Sequence, residues 1–95
     1  MEIELDKNNI DLWIDGLILE PPLSPLQLAC VQQVLKTPNN FATYDNLLSY
    51  LYGTTKRVTM RFDSLVRRIN ERVPNLIKRK RGHGVYINKA GQHGN

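Results

Sequence analysis

The sequence has one cysteine, Cys30, and two histidines, His83 and His93, in 95 residues. A lone thiol forms no internal disulfide, and one Cys with two His cannot build a zinc site of the usual Cys/His type. No apolar run approaches the about 18 residues that a membrane span requires. The acidic opening of Glu2, Glu4 and Asp6 does not read as a secretory leader. The expectation is a cytoplasmic chain with no membrane segment of its own. Gly82-His83-Gly84 lacks the Gly-Lys-Ser/Thr ending of a phosphate loop and does not lead into a helix. The carboxylates are scattered, with no pair on a credible cleft wall, so general acid–base catalysis has no support. Cys30 falls inside an apolar helical pattern and reads as a buried structural thiol, not a nucleophile. Neither an enzyme nor a cofactor nor a metal is expected, and there is no repeat or low-complexity segment.

What the chain does have is charge, and it is segregated. Lys56, Arg57, Arg61, Arg67, Arg68, Arg72, Lys78, Arg79, Lys80 and Arg81 stand against Asp63 and Glu71 alone, so residues 56–81 carry +8. Residues 1–55 hold seven acids against Lys7 and Lys36, a balance of −5. The formal net charge of +4 hides this polarity. A one-sided positive field is what a polyanion selects, and nucleic acid is the commonest such partner. With 41% apolar residues, a chain of this length can build one core and not two.

Apolar residues alternate at Ile3 and Leu5 and again at Ile10, Leu12 and Ile14, which predicts two strands joined by a turn at Asn8-Asn9. Asp15-Gly16 is a two-residue hairpin signal leading into a third strand, Leu17-Ile18-Leu19. Pro21-Pro22 ends this sheet. Ser24-Pro25-Leu26-Gln27 combines a capping residue, a proline suited to the first helical position and the Gln of a capping box. It opens a helix to about Lys36, with Leu26, Ala29, Cys30, Val34 and Leu35 apolar and Thr37-Pro38-Asn39-Asn40 as its stop. Phe41-Ala42 reads as a short extended link. Thr43 caps a second helix, Tyr44 to Tyr52, ended by Gly53. A tight Thr54-Thr55 turn opens a third, Lys56 to Arg72, stopped at Val73-Pro74. Leu76–Arg81 and Val85–Asn88 read as strands joined at Gly82-His83-Gly84.

In the third helix Val58, Phe62, Leu65 and Ile69 recur at spacings of 4, 3 and 4, a stripe to be buried. Opposite it lie Lys56, Met60, Asp63 and Arg67, flanked by Thr59 and Ser64, with Arg57, Arg61, Arg68 and Arg72 along one shoulder. Such a helix can be a solvated basic face. It also suits a DNA major groove, where central side chains reach base edges and shoulder arginines reach phosphates. A preceding helix, a short turn and a following basic hairpin favour the second reading.

Strands, three helices and a hairpin in this order resemble the winged-helix effector domain of the OmpR/PhoB-type bacterial response regulators. Leu23-Ser24-Pro25-Leu26-Gln27-Leu28 is similar to the family's start of helix one, and Leu47-Leu48 through Leu51-Tyr52-Gly53 to its helix two. Val58-Thr59-Met60-Arg61-Phe62, with Leu65, Arg67 and Ile69, resembles its recognition helix. Leu76-Ile77, Arg81-Gly82-His83-Gly84 and Tyr86 resemble its wing. The likeness covers roughly residues 2–88. It implies an α+β winged helix-turn-helix in residues 1–90, with 91–95 as a flexible tail, and sequence-specific binding of double-stranded DNA in transcriptional regulation. Helix 56–72 would enter the major groove and wing 76–88 would touch the minor groove. Lys56, Arg57, Arg61 and Arg67 would then meet backbone or groove edges, Thr59, Met60 and Ser64 would face bases, and Arg81 would be the wing arginine. Asp63, Arg68, Arg79 and His83 complete the expected surface, His83 either as a pH-sensitive contact or as a merely solvated ring.

Asp63, Ser64 and Val66 stand where many members carry basic residues, so base preference does not carry over. The turn before helix three is short where the family often has a longer loop for RNA polymerase. Val85 adds a residue between the wing glycine and Tyr86, and the 95 residues hold no phosphoacceptor receiver domain. Partners in view are therefore double-stranded DNA, RNA polymerase and a second copy on an adjacent half-site. Open alternatives are a winged-helix module binding a partner protein through its acidic sheet or wing, the DNA-binding part of a membrane-anchored ToxR/CadC-like regulator, and a non-specific architectural or RNA-binding role. Trp13 reads either as a contact for another protein or as ordinary partial burial.

Overall fold

The computed structural model describes residues 2–6 and 11–88 and is α+β, with three helices and two small antiparallel sheets. In the first sheet β1 (Ile3–Leu5), β2 (Leu12–Ile14) and β3 (Leu17–Ile18) run in the order β1-β2-β3. The expected Asn8-Asn9 turn and Ile10 lie outside the described residues, as does the tail 91–95. The second hairpin forms as its sequence dictates. Asp15 and Gly16 take φ of 51° and 83°, the left-handed pair that matches strand twist, and β3 stops one residue short of Leu19. Ile3 pairs with Ile14 and Leu5 with Leu12, so one face carries the apolar set. The other face sets Trp13 between Glu4 and Ile18.

Helix α1 (Pro25–Lys36) starts with a complete capping box: Gln27 N–H donates to Ser24 Oγ, and Ser24 N–H donates to Gln27 Oε1. Its core face is Cys30, Val31 and Val34, all with no exposed surface. A single 3-10 turn, Pro38–Asn40, then feeds β4 (Phe41–Thr43). Helix α2 (Tyr44–Tyr52) is capped by Thr43, whose hydroxyl accepts from Asn46 N–H, and closes at Gly53 with φ 74°.

Helix α3 (Thr59–Arg72) is shorter than the sequence suggests. Residues 53–58 connect α2 to it, so Lys56 and Arg57 precede the helix and do not belong to it. Arg57 sits at φ 58°, a left-handed angle that no helix can run through. Phe62, Leu65 and Ile69 are buried as the periodicity requires, with Val58 at the cap, and Val66 is buried beside them at 6% exposure. Val66 completes an i, i+3, i+4, i+7 stripe and so faces inward.

The wing is also shorter than 76–88. Strands β5 (Lys78–Lys80) and β6 (Gly84–Tyr86) pair antiparallel, and β6 pairs on its other side with β4, giving the order β4-β6-β5. The extended link at Phe41-Ala42 is thus an edge strand. The register is Lys78 to Tyr86, Arg79 to Val85 and Lys80 to Gly84, which settles where Val85 falls. Asn70 fastens the return from α3: its Nδ2 donates to Ile77 O at 3.1 Å, and Ile77 N–H donates to its Oδ1 at 2.9 Å. One apolar cluster, including Ile3, Leu12, Val31, Leu47, Ile69, Leu76 and Ile87, joins both sheets to the helices.

Candidate nucleic-acid interface

The outward side of α3 is exposed and cationic. Met60, at its first turn, is 83% exposed, and Arg67 and Arg68 are exposed two turns on. Lys56 and Arg57 are exposed in the connection before the helix. The helix begins at Val58 without a side-chain cap, so its first-turn amides are left to another hydrogen-bond acceptor. Glu71, counted above only in the charge balance, is exposed. It falls on the line of Met60 and Arg67 at one residue per 100°, so the cationic part of the face is its N-terminal portion.

The expected flanks separate onto two sides. On one, Arg61, Ser64 and Arg68 line a groove with Ser24, Leu26 and Gln27 at the start of α1. The Arg61 guanidinium lies 5.1 Å from the Tyr52 ring centroid, a cation–π placement that holds the arginine near the helix surface. The Tyr52 hydroxyl is shielded and makes no hydrogen bond among the described residues. Burial holds its pKa above the ordinary phenol value, the Arg61 charge pulls it down and Cys30 pushes it up. Arg72, the last member of that shoulder, donates to the Pro21 carbonyl, so it ties α3 to the segment before α1.

On the other side, Thr59 and Asp63 face a groove shared with Tyr44, Asp45, Phe62 and Arg79. Arg79 Nη2 lies 2.7 Å from Asp63 Oδ1, so two expected contact residues are each other's partners. The hairpin tip is Arg81-Gly82-His83, all exposed, with Gly82 at φ 78°. His83 N–H donates to Lys80 O at 2.9 Å and closes the turn. The His83 carbonyl accepts from Tyr44 N–H at 3.1 Å, so the tip is held to the first residue of α2. Gly84 is not part of a loose tip. It is buried in β6, where a Cβ would stand 2.0 Å from Ala42 O. Arg81 lies past the end of β5, so strand alternation does not put it on the same face as Arg79.

Cys30 is sealed in the core, and burial pushes its thiol up to about 12, which leaves almost no thiolate at neutral pH. Among the described residues no cluster of three or more His, Cys, Asp or Glu is placed to hold a metal ion, and no helix is long and apolar enough to cross a membrane. In comparisons with known proteins, no family model matches the chain and no curated protein is similar to it in sequence.

Proposed function

We propose that this chain binds double-stranded DNA sequence-specifically in transcriptional regulation, working in the cytoplasm, in the manner its resemblance to OmpR/PhoB-type effector domains implies. One observation carries the reading. The exposed cations of α3 and its leading connection lie beside a basic hairpin fixed to the same helix, while the described acids of residues 2–20 lie on and around the other sheet. A convex helix with a hairpin next to it matches a major groove flanked by a minor groove. In this arrangement Met60, Ser64 and Arg67 meet base edges. Lys56, Arg57, Arg61 and Arg68 meet phosphates, and Arg81 and His83 approach the adjacent minor groove.

Binding should be dominated by phosphate contacts. If about 5 to 7 cations neutralise phosphates, log K against log salt falls with a slope of roughly −4 to −6. Anisotropy titrations of a duplex selected from a random pool, across a salt series, check this. A flat salt response, or no binding to any duplex at low salt, rejects the reading.

Base readout makes a separate expectation. Met60→Ala or Ser64→Ala should weaken the selected site by about 1–3 kcal/mol and leave random duplex nearly unchanged, because only the first DNA offers the matched edge. Equal losses on both DNAs would assign the two side chains to phosphate contact or to the fold.

A protein partner is the second reading, and Trp13 is the observation in its favour. The residue is 38% exposed on the outer face of the first sheet, opposite Glu4. Competition of duplex DNA against structured RNA and against a basic peptide separates the readings.

A further inference from the structure

Among the described residues β5 is an edge strand, hydrogen-bonded to β6 and to no second strand. Its Arg79 side chain reaches α3. That guanidinium pairs with Asp63 at 2.7 Å and lies 5.4 Å from the centroid of the Phe62 ring. Phe62 meets Tyr44 edge-to-face, with centroids 6.1 Å apart and planes at 87°, and the Tyr44 amide holds the His83 carbonyl at the hairpin tip. A closed circuit therefore runs from tip to α2, to α3 and back to the hairpin. Asp63 is the acid in that circuit, set in a stretch whose cations would otherwise repel one another.

We propose that Asp63 is a positioning residue: through Arg79 it fixes the hairpin against α3, so that helix face and hairpin tip meet a duplex as one body and flanking sequence is read at a set distance from the centre. This rests on the DNA-binding reading. The two side chains are 51% and 39% exposed, and a pair of that kind adds little to global stability. Its effect is instead on the freedom of an edge strand. The carboxylate, held by the guanidinium, also presents less negative charge to passing phosphates than a free aspartate would.

Asp63→Asn, Arg79→Gln, the double variant and Asp63→Glu test this in two ways. In the free protein, amide exchange and 15N relaxation at 78–83 should show a loosened hairpin in both single variants and the double, and recovery in Asp63→Glu, which keeps the pair. With DNA, affinity is measured on two duplexes that share a centre and differ only in flanking A·T content. Each single variant should reduce the discrimination between them by roughly threefold to tenfold, and the double should lose no more than either single, as residues acting through one another do. Hairpin amides unchanged in Asp63→Asn would overturn the proposal, and so would losses that multiply in the double variant. If the parent protein binds no duplex, the DNA reading fails by itself. The free-protein measurement then still decides whether Asp63 fixes the hairpin.

Discussion

Phe62→Ala should bring the protein close to unfolding. Phe62 is 2% exposed, sits in the inward stripe of α3, meets the Tyr44 ring edge-on and lies under the Arg79 guanidinium. Truncating a buried phenylalanine costs about 3–5 kcal/mol, and a domain holds only about 5–15 kcal/mol in total. For a chain of this size the melting temperature should fall by at least about 12 °C. The loss should exceed simple cavity formation, because Arg79 loses the ring beneath it and the hairpin one of its anchors. Circular dichroism melts of parent and variant measure the shift. An unchanged melting temperature with lost DNA binding would mean that α3 presents its other side to the core.

Gly84→Ala should be the most damaging change in the wing, and far worse than Gly82→Ala. The added Cβ at residue 84 would lie 2.0 Å from Ala42 O and 2.9 Å from both Ala42 C and Thr43 Cα. These are backbone atoms of the neighbouring strand, and no rotamer can move them aside. Relief requires β4 and β6 to part, at a cost of about 3 kcal/mol or more. At Gly82 nothing lies within 4 Å of the new methyl group, and the cost is the left-handed backbone alone, about 1–2 kcal/mol. Denaturant midpoints should therefore order the proteins as parent, Gly82→Ala, then Gly84→Ala. Amide exchange should show the second variant opening first at 41–43 and 84–86. A Gly82 variant less stable than the Gly84 variant would contradict this packing.

The contrast between these glycines shows where the sequence was legible. Gly82-His83-Gly84 reads as a loose tip because glycine pairs usually mark turns. Which of the two is crowded depends on a strand some forty residues earlier, and no local pattern reports that. β4 was missed for the same reason: Phe41-Ala42-Thr43 is too short to show a period, and it becomes a strand only through β6. Helices α1 and α2 were readable to the residue because their caps are side chains written in the sequence: Ser24 with Gln27, and Thr43 with Gly53. The start of α3 carries no such mark, since Val58 caps nothing with its side chain and Arg57 is not a residue type that announces a left-handed angle. The stripe read from the sequence left out Val66, which the structure buries between Phe62 and Ile69. The candidate interface was legible as a set of charges. That Asp63 and Arg79 consume each other, that Arg72 turns back to Pro21 and that Asn70 grips Ile77 follow from tertiary distance alone.

The order β4-β6-β5 also sets a timetable for a nascent chain. The middle strand of that sheet is the last of its three to leave the ribosome, so β4 and β5 have no partner until residues 84–86 have emerged. Until then two unpaired strand edges, one of them adjoining Leu47 and Leu48, depend on something other than the sheet for protection. The three lysines and arginines of β5 supply part of it, since an edge that carries charge at every position repels a copy of itself. The cations of β5 would thus keep the unfinished chain from pairing with its neighbours on a polysome.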